Sequence, residues 1–141
     1  MSEQNDCIFC MIAEGKLPSS KVYETENLYA FLDLNPVHEG HTLIIPKKHC
    51  ENIFDADPAI GEDVIKAMQR VGEALKKVTG CTGVNVLQNN GRTAGQMVYH
   101  LHWHIIPRFA ADGLSLWPQQ KYASMDAMND MAARLREELA K

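Results

Sequence analysis

The chain has 141 residues, of which 45% are hydrophobic and 23% are charged, and its formal net charge is −4 at neutral pH. This size and composition predict one globular domain and exclude a disordered chain. Without a long basic run, the negative charge offers no general attraction to nucleic acid polymers or anionic lipids. Apolar runs are short and the first residues lack a signal-peptide pattern, so we expect a cytoplasmic protein with no membrane partner.

The first half of the chain predicts a small β-meander. The segment KVYETENLYAFLDLNP reads as two short strands joined by a turn at Glu26 and Asn27, with Pro36 closing the second strand. HTLIIP predicts a third strand over residues 41 to 45, because apolar and β-branched residues are enriched in strands.

The second half adds two helices to this sheet. The first helix is predicted to begin with Asp57 as N-cap and Pro58 as its first residue, and to end at Gly80. Its predicted core-facing stripe consists of Val64, Met68, Val71, Leu75 and Val78.

A strand from Val84 and a polar loop, NNGRTAGQ, follow the first helix. The second helix begins near Ser124 and carries Met125, Met128, Leu135 and Leu139 on one face. Strands, helix, strands and helix predict an α+β fold around an antiparallel sheet.

Residues 100 to 109, HLHWHIIPRF, place three histidines at alternate positions. Side chains alternate across a strand, so His100, His102 and His104 are predicted to share one face. All six histidines lie in residues 38–49 and 100–104, and adjacent strands would bring these stretches together. A solvated strand face is the alternative interpretation, but lone surface histidines would be scattered. With histidines on both sides, His102 is predicted to stay neutral and nucleophilic.

Cys7 and Cys10 form a Cys-x-x-Cys pair with the spacing of metal ligands. Two thiolates are half of a tetrahedral site, so two further ligands are required. A redox pair and two free thiols are the competing interpretations, although a redox pair is expected beside a strand-helix-strand unit, which the pattern lacks.

The motif His-Leu-His-Trp-His-Ile-Ile resembles the signature of the histidine-triad (HIT) family. Three other blocks, CIFCMIAEGKLPS, YAFLDLNPVHEGHTLIIPKKH and NNGRTAGQMVYH, are similar to family segments in the same order. The resemblance covers residues 7 to 110 and is nearest to the Hint-like and bacterial branches. It implies a five-stranded antiparallel sheet that extends across a homodimer. We therefore expect a HIT domain with an N-terminal zinc segment over residues 1–110, and an extension over residues 111–141 whose helix packs on the same domain.

The resemblance also implies a reaction. His102 would attack the α-phosphorus of a nucleotide conjugate, and water would then cleave the covalent nucleotidyl-histidine. His41 and His104 would flank the phosphate, where donors stabilise charge on its oxygens. Gln96 and the backbone at Gly95 would reach the same phosphate.

Further residues are matched to the nucleotide by the resemblance. Asp33 would bind the ribose hydroxyls, and Asn89 would lie beside the phosphate. Ile8, Phe9, Phe31 and Leu34 would form an apolar slot for a purine base, with core packing as the alternative for each. Met97 stands where Hint-like enzymes have a serine, and a thioether donates no proton to a leaving group.

The resemblance completes the cysteine pair with His49 and His100 as ligands of a structural zinc, with Cys50 as the alternative to His49. No organic cofactor is expected. The implied function is hydrolysis of AMP or GMP conjugates, of the phosphoramidate or nucleotidyl type.

Two alternative functions stay open. One is dinucleoside polyphosphate hydrolysis, which the IIPRF segment favours. The other is a nucleotide-binding module with little turnover, which Met97 leaves open. Trp117 and Pro118 resemble a tail of Hint-like proteins that reaches the partner's active site, and docking on the same domain is its alternative.

Overall fold

The structure is a computed structural model that describes residues 6–115 and 117–141. Its helices are α1 (Ile8–Ala13), α2 (Gly61–Thr79) and α3 (Met125–Leu139). Its strands are β1 (Lys21–Glu24), β2 (Leu28–Leu32), β3 (Thr42–Pro46), β4 (Gly83–Leu87) and β5 (Trp103–Arg108). Short 3-10 turns at Ile53–Asp55, Pro58–Ile60 and Arg92–Ala94 complete the described elements.

The five strands form one antiparallel sheet in the order β1-β2-β3-β5-β4. The predicted α+β class and five-stranded sheet are therefore confirmed. In the β3–β5 pair, Leu43 lies opposite His104. Directly opposed residues of an antiparallel pair point to the same face, so His104 lies on the face of Leu43. The order of strands thus brings the histidine segment beside the loop that precedes β3.

Each face of the sheet is covered by a different helix. On one face, α2 packs Val64, Ala67, Val71 and Leu75 against a cluster that includes Leu28, Ala30, Ile44 and Ile105. On the other face, Phe9 of α1 packs against Tyr29, Phe31, Leu43 and Ile45. Burying one large aliphatic side chain contributes about 1.5–3 kcal/mol, so the two clusters hold β2, β3 and β5 as a rigid base. His104 belongs to the face that α1 covers.

Helix α2 begins later than predicted and ends where predicted. Asp57 accepts a hydrogen bond from the Ala59 N–H (2.9 Å) and thereby caps a 3-10 turn, and the α-helix begins at Gly61, three residues after the predicted first residue, Pro58. Gly80 ends the helix in the left-handed conformation, as predicted (φ 76°). The prediction that Val78 faces the core is wrong, because its side chain is 84% exposed. It lines the wall of an open cavity of about 620 Å³ between α2 and the sheet.

The strand that carries the histidines is shorter than predicted. Strand β5 begins at Trp103, so His100, which lies in a bend, and His102 both precede it. Here the Leu101 N–H donates to the carbonyl of Cys50 (2.9 Å), in a distant segment of the chain, instead of to a neighbouring strand. His100 and Leu101 are adjacent and both fully buried, so the predicted alternation does not extend back to His100.

Helix α3 begins as predicted, with the Ser124 hydroxyl accepting from the Ala127 N–H (3.0 Å). Every residue from 124 to 141 is exposed, so the predicted packing of this helix on the same domain is not seen. The apolar period identifies which face of a helix is apolar, but it carries no information about the surface that covers that face. Among the described residues, no helix combines the length and apolar character needed to cross a membrane.

Gly40 lies at the entry to β3 with φ 102°, where an added Cβ would be 2.9 Å from Leu75 Cδ2. Gly40→Ala should therefore lower the free energy of unfolding by about 2 kcal/mol, through backbone strain and overpacking. Gly61→Ala is the matched control, because Gly61 is helical and its Cβ position is open. Urea unfolding curves of the two variants that coincide would contradict this explanation.

Candidate active site and metal centre

His102 is held in one tautomer by the main chain. Its Nδ1 lies 2.7 Å from the carbonyl oxygen of His100. A carbonyl accepts and never donates, so Nδ1 carries the hydrogen and Nε2 keeps its lone pair. Burial lowers the pKa of His102, although the bond to His100 opposes this shift. His102 is therefore a neutral imidazole with a free basic nitrogen, and burial, not the charge of neighbouring histidines, is the main cause.

His41 and His104 form a second pair with assigned donors. The Val37 N–H donates to His41 Nδ1 (3.0 Å), so the hydrogen of neutral His41 is on Nε2. His41 Nε2 lies 2.9 Å from His104 Nδ1 and donates to it. His104 must then carry its own hydrogen on Nε2. The chain of bonds leaves His104 Nε2–H as a donor for another group.

The charge state of this pair follows from its surroundings. Burial lowers the pKa of His41, and the carboxylate of Asp33 partly opposes the shift. Burial, with smaller contributions from His102 and His41, lowers the pKa of His104 to about 4. Asp33 Oδ2 lies 3.5 Å from His41 Nε2, and its Oδ1 accepts from the Asn35 N–H (2.8 Å). Asp33 is thus beside His41, and its predicted contact with the ribose hydroxyls stays a prediction.

The predicted apolar slot divides into buried and exposed members. The edge of Phe9 meets His102 at a centroid distance of 5.2 Å and 89°, and Phe9 packs similarly on Phe31 at 5.5 Å. Both phenylalanines are buried and support His102. Ile8 is exposed and Leu34 is 93% exposed, so these two have free surface to offer a base.

Gln96 does not have the predicted orientation toward a phosphate. Its side chain is 2% exposed, and Oε1 accepts from the Gly91 N–H (2.8 Å). Its Nε2 donates to the carbonyls of Glu51 (2.7 Å) and Val98 (3.0 Å). These bonds use both amide hydrogens inside the protein. Gln96 therefore fixes the shape of the loop over residues 88–98, and it has no donor left for a ligand.

Gly95 and Met97 flank Gln96 in the same loop. Gly95 adopts φ 99°, and a Cβ there would be 3.3 Å from the amide nitrogen of Asn89, so glycine permits their close approach. Met97 is 81% exposed. With Ile8 it lines an open cavity of about 560 Å³ whose wall also includes Cys7 and His49. The Met97 thioether has no hydrogen to donate, so the predicted effect on the leaving group stays a prediction.

Four side chains from three segments converge beside this cavity: Cys7, Cys10, His49 and His100. Their ligand atoms all lie within 4.8 Å of one another. His100 Nδ1 is 3.3 Å from Cys7 Sγ and 3.2 Å from His49 Nδ1, and His49 Nδ1 is 3.3 Å from Cys10 Sγ. The cluster contains His49 and not Cys50, which decides between the two predicted ligands.

The donor set fits a tetrahedral zinc ion. Zinc bonds of about 2.3 Å to sulfur and 2.0–2.1 Å to nitrogen place tetrahedral ligands about 3.3–3.8 Å apart, close to the observed spacings. His100 Nε2 donates to the Pro46 carbonyl (2.8 Å), which leaves Nδ1 to face the cluster. Burial and the neighbouring Cys7 raise the pKa of Cys10 to about 12. A divalent cation is the group that would stabilise thiolates here.

Several groups that position the site were not predicted from the sequence. The Val37 N–H is a backbone donor and has no side-chain signature. His38, Arg108 and Asp112 form a hydrogen-bonded cluster next to the site. The available signals were the clustering of His38 with the other histidines and the four-residue spacing of Arg108 and Asp112.

The HIT domain family model matches residues 14–111, and the chain belongs to the HIT family. Among similar proteins, adenosine 5'-monophosphoramidase HNT1 of Candida albicans is 40% identical, with 100% of this chain and 96% of that protein covered. A solved structure from Streptococcus mutans is 38% identical with a TM-score of 0.89, over 96% of this chain and 86% of that chain. The structure of a zinc-bound histidine triad family protein from Mycobacterium smegmatis is 32% identical with a TM-score of 0.76, over 98% of this chain and 99% of that chain.

His104 should make the stability of the fold depend on pH. The unfolded imidazole has a pKa of 6.5 and the folded one about 4, so the unfolded chain binds more protons between these values. The contribution of neutral His104 is complete above pH 6.5 and is lost as the pH falls toward 4. His104→Gln should lose less stability than the wild type between about pH 7.5 and 5, measured by urea unfolding. Parallel stability curves for the two proteins would contradict the assignment.

Proposed function

We propose that this protein hydrolyses conjugates of purine nucleoside monophosphates, with phosphoramidates as the first substrate class. The observation that carries the proposal is the free Nε2 of His102, which is neutral, backbone-oriented and adjacent to the donor His104. The names of similar proteins support the substrate class, since relatives from Candida albicans and Saccharomyces cerevisiae are named adenosine 5'-monophosphoramidases.

In the proposed first step, the lone pair of His102 Nε2 attacks the α-phosphorus of the conjugate. A phosphorus–nitrogen bond forms to His102 as the bond from phosphorus to the leaving amine breaks, and the amine takes a proton from solvent. The Nδ1–H bond to the His100 carbonyl stabilises the positive charge that develops on the ring. A covalent nucleotidyl-histidine results.

The neighbouring pair would stabilise the transferring phosphoryl group. His104 Nε2–H is the donor that the hydrogen-bond chain leaves unused, so it would contact a phosphate oxygen. His41 would keep His104 in this orientation, with Asp33 beside it. In the second step, water attacks the same phosphorus and releases a proton to solvent, the bond to His102 breaks with its electron pair returning to Nε2, and the nucleoside monophosphate leaves.

His102→Ala should abolish turnover while leaving the fold intact. We expect AMP release from an AMP–lysine phosphoramidate to fall about a thousandfold or more, because no other group replaces the nucleophile. Rapid quenching of the wild type with radiolabelled substrate should trap labelled protein, and the variant should trap none. AMP binding and the unfolding curve of the variant serve as controls. Equal activity of the two proteins would refute the role of His102.

Substrate choice is tested in the same assay. Diadenosine polyphosphate is the competing substrate, and its rate relative to the phosphoramidate separates the two hydrolase classes. Tight AMP binding by the wild type without turnover or labelling would favour a nucleotide-binding module instead.

We also propose a structural zinc ion held by Cys7, Cys10, His49 and His100. Zinc would neutralise the two thiolates and tie the α1 segment to β3 and to the histidine segment. The relative from Mycobacterium smegmatis described as zinc-bound supports this proposal. No step of the reaction requires the ion.

Cys7→Ser should lower both the zinc content and the thermal stability of protein purified without chelator. Cys81→Ser is the matched control, because Cys81 is a buried thiol in the other core cluster. We expect about one zinc per chain in the wild type and in Cys81→Ser, and much less in Cys7→Ser. Substoichiometric zinc in the wild type together with unchanged stability of Cys7→Ser would count against the site.

The proposal extends to assembly and location. Strands β1 and β4 form the two edges of the sheet, and an edge strand presents unpaired backbone groups to a second copy. We propose a homodimer that continues the sheet across such an edge, and a cytoplasmic location.

A further inference from the structure

A polar cluster around Asp112 lies outside the catalytic histidines. The Asp112 side chain is 7% exposed and accepts from Arg108 Nε (2.8 Å) and Nη2 (2.9 Å). The backbone N–H groups of Phe109 (3.2 Å) and Leu114 (3.1 Å) also donate to it. Because so many donors converge on this carboxylate, it is a fixed point of the structure.

His38 connects a different segment to this fixed point. Its Nε2 lies 3.1 Å from Asp112 Oδ2, and an ionised carboxylate only accepts, so Nε2 carries the hydrogen. The His38 ring also meets Phe109 edge-on, at a centroid distance of 5.2 Å and 89°. The side chain of His38 is therefore held by the segment that follows β5.

The backbone around His38 holds His41. The His38 carbonyl accepts from the His41 N–H (3.0 Å), and the Val37 N–H donates to His41 Nδ1 (3.0 Å). This second bond makes His41 Nε2 a donor to His104. Strand β5 carries His104 and ends at Arg108, the partner of Asp112. The bond from His38 to Asp112 thus joins the loop that orients His41 to the strand that carries His104.

We propose that His38 is a positioning residue for the reaction: its hydrogen bond to Asp112 keeps the Val37 N–H directed at His41, and so keeps His104 Nε2–H available to the phosphate. The inference rests on the proposed function. Without the bond, the loop over residues 33–41 is free to shift and His41 can exchange tautomers. His38 contacts Asp112 and Phe109 rather than His102, so its loss should affect the reaction more than nucleotide binding.

The test compares His38→Leu, which removes the donor, with His38→Gln, whose amide can reach Asp112. The readouts are kcat and KM for AMP release from an AMP phosphoramidate, and imidazole ¹H–¹⁵N correlation spectra that report the tautomers of His41 and His104. Asn27→Ala is the matched control, since the Asn27 side chain joins a loop to α2 through Asp63 (3.0 Å) away from the site. His38→Asn, whose amide is too short to reach Asp112, replaces His38→Leu if that variant does not fold.

We expect His38→Leu to lower kcat about tenfold with KM within about twofold, and to populate a second tautomer of His41. His38→Gln and Asn27→Ala should stay within about twofold of the wild type with unchanged tautomers. Wild-type kcat and tautomers in His38→Leu would overturn the proposal, and so would equal losses in His38→Leu and His38→Gln. If the wild type releases no AMP, the proposed function fails, whereas the tautomer spectra still decide whether His38 positions His41.

Discussion

The site depends on one kind of interaction, the hydrogen bond between an imidazole and the main chain. An imidazole has two similar nitrogens, and a side chain alone does not determine which of them carries the hydrogen. Here the Pro46 carbonyl fixes His100, the His100 carbonyl fixes His102, and the Val37 N–H fixes His41. The contact leaves the opposite nitrogen of His100 and of His102 with a lone pair, and the opposite nitrogen of His41 with a hydrogen to donate. The backbone thus gives chemically identical side chains different chemical properties.

Burial keeps the imidazoles of the site neutral. The site lies on the sheet face that α1 covers, where Phe9 packs against His102 and Phe31. Removing an imidazole from water penalises its charged form, and the pKa values of His41, His102 and His104 all fall. Neutral rings can attack, accept and donate along one chain of bonds, whereas three adjacent imidazolium ions would repel one another. The helix that closes the core therefore also sets the chemistry of the site.

Much of this arrangement was predictable from the sequence. Period-two alternation and turn residues located the strands, and the histidine spacing located the segment that holds His100, His102 and His104. Cys7 and Cys10 indicated a metal site, and the family resemblance supplied His49 and His100. The role of Gln96 was not predictable, since a buried amide and a ligand-facing amide have the same sequence signal. The prediction that Val78 faces the core was wrong for a similar reason. Helical periodicity continues past the point where the underlying sheet provides a surface to cover.

His100 contributes to both centres through different parts of one residue. Its ring faces the cysteines, and its carbonyl holds the ring of His102. Replacing His100 with cysteine would keep a possible metal ligand and this carbonyl. It would remove the hydrogen bond from the His100 ring to the Pro46 carbonyl. The orientation of the His102 ring would then change although the metal content did not. Occupancy of the proposed zinc site is therefore an incomplete measure of whether the segment that carries His102 is correctly positioned.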